Sequence, residues 1–214
     1  MAKAGRASRP GRQADSGAEA TRTALVGAAI ESLRHDGYAG ASARTIAGRA
    51  GVNQSLVFYH FGSVAELLLA ALDEVSARRL ARYSAAVEPV RDARELVAVA
   101  TEIFREDLDE GYVTVLVEMI AGTAPVPDLA AEVARRIAPW RDFAREHITA
   151  VLASTPFASI VPVDDAAYAI VALYLGMEML SHLDGDRTPA LSLFDHAASL
   201  AALFAGSPSP QEAS

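Results

Sequence analysis

The stretch that decides the fold is Ser42–Phe61, SARTIAGRAGVNQSLVFYHF. Two short helices fit it, Ser42–Ala50 and Gln54–His60, separated by Gly51-Val52-Asn53. A helix-turn-helix needs a small residue where its helices meet and a residue tolerant of positive φ in its turn. Ala47 and Gly51, four positions apart, meet both needs. Ile46, Ala50, Val52 and Val57 then fall on inward faces, while Asn53, Gln54 and Ser55 point outward at the start of the second helix. In such a motif the start of that second helix enters the major groove and meets base edges. Short αα-hairpins also occur as plain core elements, and Asn, Gln and Ser at a helix start also serve as caps, so spacing alone leaves both readings open.

Upstream of this motif, Leu25, Val26, Ala29, Ile30 and Leu33 make one apolar stripe on a helix from Thr21, which His35-Asp36-Gly37 stops. Gly37 is expected as a left-handed C-cap, with Tyr38 tucked into the core. Downstream, Ser63-Val64-Ala65-Glu66 reads as a capping box opening a long amphipathic helix to about Ala86. Pro89 ends it, and further helices fit Asp92–Glu110, Tyr112–Gly122, Asp128–Ser154, Asp164–Leu183 and Pro189–Phe204. No segment alternates with period two, so the chain reads as all-α with about nine helices. Residues 1–20 lack apolar periodicity and are expected to form a disordered basic arm, and 206–214 a disordered tail.

The 214 residues are 51% hydrophobic with a net charge of −8, a composition that excludes wholesale disorder. No cysteine is present, which excludes disulfides, iron–sulfur clusters and cysteine-ligated zinc. Charged or polar residues interrupt every apolar run before about 20 residues, the length a bilayer span needs, and the N-terminus lacks the apolar core of a secretory signal. The expectation is a cytoplasmic protein with no membrane partner. The charge is unevenly placed. Residues 1–62 hold eight basic and four acidic residues, a net of +4, while the remainder holds 11 basic and 23 acidic, a net of −12. A basic front suits phosphates; an acidic body does not.

From Thr21 to Leu72 the chain resembles the DNA-binding domain of TetR-family transcriptional regulators. The resemblance rests on His35-Asp36-Gly37-Tyr38, Ser42-Ala43-Arg44-Thr45-Ile46-Ala47, Ala50-Gly51-Val52, Leu56-Val57-Phe58-Tyr59-His60-Phe61-Gly62-Ser63 and Glu66-Leu67-Leu68. It implies a DNA-binding domain over 21–66, a helical regulatory and dimerisation domain over 67–205, and a repressor released from a palindromic operator by a small-molecule effector. An effector-independent DNA-binding or architectural protein is the alternative. It further implies that Ser42 caps the first motif helix, that Arg44 reaches a base edge or phosphate, and that Asn53, Gln54, Ser55 and Leu56 face bases. Tyr59 and His60 would hold phosphates. Two positions depart from the family pattern: Phe58 stands where a tyrosine is common, and Val64 where a lysine is.

For the body, the resemblance implies a homodimer through the last two helices. Ala166, Ala169, Ala172 and Gly176, with Leu191, Phe194, Ala198 and Leu203, suit an intersubunit four-helix bundle, although an intramolecular bundle uses the same residues. Candidate effector contacts are Phe104, Glu118, Met119, Trp140, Phe143, His147, Tyr174, Met177 and Glu178. Pro139 beside Trp140 is expected to kink its helix and open room. An all-α enzyme is the remote rival. The five histidines form no HExxH, Glu178/His182 reads as a hydrogen-bonded i, i+4 pair, and no phosphate loop or GxSxG occurs. Neither a metal nor a cofactor is expected.

Overall fold

The structure, a computed structural model, describes residues 10–122, 127–153 and 155–205, and the side chains of all of these except 10–15, 127, 156 and 203–205. Among the described residues there are nine α-helices and no strand: α1 Pro10–Gly40, α2 Ala43–Ala50, α3 Ser55–Phe61, α4 Val64–Val87, α5 Ala93–Glu110, α6 Tyr112–Ala121, α7 Pro127–Leu152, α8 Val163–Asp184 and α9 Thr188–Ala205. A short 3-10 helix, Pro156–Ser159, precedes α8. Every helix from α2 to α9 lies within two residues of its expected span. The chain divides into two compact units after Glu74. Both that division and the expected boundary at 66/67 fall within α4.

In the first unit, α1 buries Leu25, Val26, Ala29, Ile30 and Leu33, α2 buries Ile46 and Ala47, α3 buries Val57, and α4 buries Leu67, Leu68, Leu69 and Leu72. α1 packs on α2 and α2 on α3. The expectation of disorder over 1–20 is corrected for residues 10–20, which are the opening turns of α1. Gln13, Ala14, Ala18, Glu19 and Ala20 are good helix formers, and they extend a helix whose nucleation the stripe from Leu25 already secures. Pro10 takes the first helical position, where a missing N–H costs nothing. Expectations for 1–9 and 206–214 lie outside the described residues.

Gly37 does break α1, but not as a left-handed cap. Its φ of 69° is positive, but its ψ of 178° lies far from the left-handed helical value, so this glycine re-aims the chain before a last turn to Gly40. Tyr38 is half-buried there.

In the second unit α7 packs on α8 and α5 on α9, with α6 touching α5, α7 and α8. α7 runs through Pro139 as one helix, with that proline exposed. Phe104, Met177 and Ala190 form a buried cluster on which Leu191 and Phe194 also pack. Those two side chains, expected between subunits, thus turn inward within the chain, because the aromatic ring of Phe104 offers the apolar surface they need. The α8–α9 surface is instead exposed and apolar at Tyr168, Ile170, Leu173, Leu180, Leu183, Leu193 and Leu200. The expectation that no apolar run is long enough to span a bilayer is corrected at α8. Its 22 residues are long and apolar enough by length and composition, since its acidic residues cluster at the ends and leave only Glu178 inside.

Candidate nucleic-acid interface and buried charge cluster

The helix-turn-helix is held by local hydrogen bonds that its sequence specifies. Ser42 accepts the Thr45 N–H at 3.1 Å and so caps α2. At the other end Gly51 takes φ 68°, ψ 27°. Its N–H reaches the Gly48 carbonyl at 3.2 Å while the Val52 N–H reaches Ala47 at 3.0 Å, the double bond of a Schellman turn. The Asn53 side-chain oxygen then accepts the Ser55 N–H at 2.9 Å, opening α3. Gly62, at φ 77°, closes α3 by donating to Phe58. Two further contacts tie these helices to α1. Arg49 donates to both Asp36 oxygens, at 2.9 and 3.2 Å, and the Arg22 guanidinium stands 5.1 Å over the Phe61 ring.

This scaffold leaves one polar and aromatic face open. Ser42, Arg44, Asn53, Gln54, Ser55, Phe58 and Tyr59 are exposed, Tyr59 by 79%, while Leu56 and His60 are half-buried. Tyr59 stacks edge-on against His60, with centroids 5.0 Å apart. Arg34 pairs with Glu31 and Arg49 with Asp36. Among the described side chains of this unit, Arg44 is the one cation with neither an ionic nor an aromatic partner. The arrangement offers an unneutralised guanidinium, an amide, hydroxyls and a ring at the surface of this unit. Such groups suit phosphate oxygens and base edges.

The body concentrates its chemistry in its interior. Arg79 of α4 donates to Asp107 of α5 at 2.5 Å, to Glu178 of α8 at 3.0 Å and to the Tyr83 hydroxyl at 2.9 Å. Arg82 also donates to Asp107, and Tyr174 donates to the same carboxylate at 2.8 Å. Asp107 and Glu178 are fully buried. Rings enclose the cluster. The Arg79 guanidinium lies 5.2 Å from the Trp140 centroid and 5.6 Å from those of Tyr83 and Tyr112. Phe143 stacks near Tyr83 and carries His147 at 4.3 Å. One acceptor remains: Glu178 Oε2 is buried without a hydrogen-bond partner. Burial pushes the Glu178 carboxyl up to about 7, with Arg79 opposing and Asp107 assisting. Burial and the carboxylates also push the Tyr174 phenol up, which keeps it a donor.

Residues 25–71 match the family model for bacterial regulatory proteins of the tetR family. That match spans α2, α3 and the adjoining parts of α1 and α4. An uncharacterised HTH-type transcriptional regulator of Mycobacterium bovis is 33% identical over 88 residues, which are 41% of this chain and 45% of that protein. The chain thus spans under half the length of the curated relatives it matches. Solved folds are similar over far more of it. A TetR-family regulator from Rhodococcus sp. superposes with a TM-score of 0.71 and 23% identity, covering 85% of this chain and 98% of its own. FadR from Bacillus subtilis, solved in complex with stearoyl-CoA, gives 0.70 and 15%, covering 87% and 99%.

In the body, the structure brings Trp140, Phe143, His147, Tyr174, Met177, Glu178 and Phe104 together around α8, through direct contacts or through Tyr83. Met119 and Glu118 sit on α6, the first fully buried and the second half-buried. The expected Glu178–His182 bond is replaced: Glu178 turns inward to Arg79, and His182 is exposed. The reason is charge, since a buried carboxylate gains more from a guanidinium than from an imidazole. An open groove of about 680 Å³ lies between α5 and α9, lined by Asp92, Arg94, Glu95, Ala98, Ala198, Ser199 and Ala202. None of the expected effector contacts is among its lining residues.

Sequence reasoning missed Arg79, Arg82, Tyr83 and Asp107. A signal was available. Val75, Arg79, Tyr83 and Val87 repeat every four residues and are all buried, so a cation stands in the middle of an apolar stripe. Asp107 likewise follows Ile103 and Phe104 on the buried face of α5.

Proposed function

We propose that this chain is a sequence-specific DNA-binding regulator, acting as a homodimer and as a repressor that a small-molecule effector releases from its operator. The observation that carries the reading is the unpaired Arg44 beside the exposed Gln54, Ser55 and Tyr59, on a helix-turn-helix whose own polar needs are already met. Gln54 and Ser55 read bases, Arg44 contacts a base edge or phosphate, and Tyr59 and His60 hold the backbone. Asn53 has a positioning part through its bond to Ser55. The exposed apolar side chains of α8 and α9 supply a two-fold interface, and the two recognition helices then meet half-sites about 34–36 Å apart.

Effector release fits the buried cluster. Glu178 Oε2 accepts nothing from the chain, and the half-buried Trp140, Phe143 and Tyr174 all stack on Tyr83, the partner of Arg79. A ligand that takes Glu178 or Asp107 removes a partner of Arg79 on α4. That helix is unbroken from Val64, three residues after α3 ends. The fold-similar FadR holds stearoyl-CoA, which supports a ligand within a helical body of this kind.

The test is selection of bound duplexes from a randomised pool by the full-length protein. Gln54→Ala is expected to change the preferred sequence, and Tyr59→Ala to weaken all sequences about evenly. If both variants behave alike, the division between base and phosphate contacts is wrong.

A further inference from the structure

Phe58 is the residue of the open face that the DNA-binding reading leaves without a task. It is 52% exposed on α3, one turn after Ser55 and beside Tyr59. Among the described side chains of the first unit it is the one large exposed group with no polar atom. The core does not need it, since Val57 is fully buried and Phe61 lies under Arg22. Its backbone is fixed, because its carbonyl accepts the Gly62 N–H at 2.9 Å. Lacking a hydroxyl, the ring can donate no hydrogen bond to a phosphate. An apolar group fixed on a groove-facing helix has one apolar counterpart in the major groove, the 5-methyl group of thymine.

We propose that Phe58 is a specificity-determining residue that packs on a thymine methyl group in each operator half-site. The inference rests on the DNA-binding reading and adds a base to it. Gln54 and Ser55 supply hydrogen bonds to neighbouring base edges, and Phe58 supplies a contact that only a methyl-bearing base satisfies. A contact to a base methyl carries sequence information, which a contact to phosphate does not.

Deoxyuridine makes the test direct, because it keeps every base pair and removes only the methyl group. Duplexes selected by the full-length protein are remade with each half-site thymine replaced in turn by deoxyuridine. At one position the wild type is expected to lose roughly fourfold in affinity, the worth of one buried methyl. Phe58→Ala is expected to bind more weakly and to ignore that replacement, and Phe58→Leu to regain the sensitivity. An unchanged melting temperature for Phe58→Ala separates this from misfolding. The proposal is overturned if no replacement affects the wild type, if the selected half-sites contain no thymine, or if Phe58→Ala keeps the sensitivity. Failure to enrich any duplex overturns the DNA-binding reading itself, whereas enrichment without methyl sensitivity overturns this inference alone.

Discussion

The two units handle charge in opposite ways. The first keeps its cations at the surface, pairs Arg34 and Arg49 with carboxylates in partial contact with water, and leaves Arg44 open. The second draws Arg79, Asp107 and Glu178 into its interior and walls them with aromatic rings. Exposed cations cost little stability and remain available to an external partner. Buried charges depend on one another, so each holds the others in place and losing one leaves the rest uncompensated. The first unit thus leaves charge open at its surface while the second spends its charge inside, and four measurements can break or sharpen this difference.

The largest expected effect is on Arg79. Arg79→Ala strands the buried Glu178 without a cation and leaves Asp107 to Arg82 and Tyr174, and is expected to cost about 3–5 kcal/mol in chemical denaturation. Arg44→Ala, by contrast, is expected to stay within about 0.5 kcal/mol of wild type while weakening DNA binding. Equal stability losses at both arginines would erase the contrast between the units.

Turn glycines come next. Gly51→Ala meets no neighbouring atom, so its cost is the strain of the left-handed backbone alone, about 1–2 kcal/mol in thermal melting. At Gly40 the backbone is unstrained, but an added Cβ would stand 2.7 Å from Asp36 Cβ. Gly40→Ala is therefore expected to displace Asp36 from Arg49, so that Arg49→Ala costs less in that background than in wild type. Independent, additive losses would show that the Asp36–Arg49 pair does not depend on Gly40.

The last measurement is a pH dependence. The folded Glu178 carboxyl holds its proton up to about 7, against an ordinary value of 4.5. Between those values the folded state binds more protons than the unfolded one, so this group's contribution to stability falls as pH rises through the window. Glu178→Gln removes that contribution and is expected to flatten the stability curve between pH 4.5 and 7. A slope identical to wild type would remove Glu178 as its source.

The fold was largely legible because its punctuation is local. Gly51, Gly62, Gly111 and Gly185 all take positive φ at helix ends, and Ser42 and Asp92 accept the amide bonds expected of caps. The opening turns of α1 were not legible, since helix propensity there lacks an apolar stripe to announce it. Of the candidate site, spacing marked the helix-turn-helix but left its role open, whereas Asp107 and Glu178 meet Arg79 across sequence separations of 28 and 99 residues. Periodicity marks a charge as buried; it does not name its partner. Phe58 first stood out as a departure from a family pattern, and only its exposure gave the substitution a direction.

The central claim is that the first unit's open face reads DNA. Its most direct test is the affinity of the full-length protein for a selected duplex and for a scrambled duplex of equal length, measured from about 50 to 200 mM salt. The account predicts that the selected duplex binds at least about a thousandfold more tightly, that both affinities fall steeply with salt, and that Arg44→Ala shrinks the gap. Equal affinity for the two duplexes, or binding that ignores salt, would contradict it.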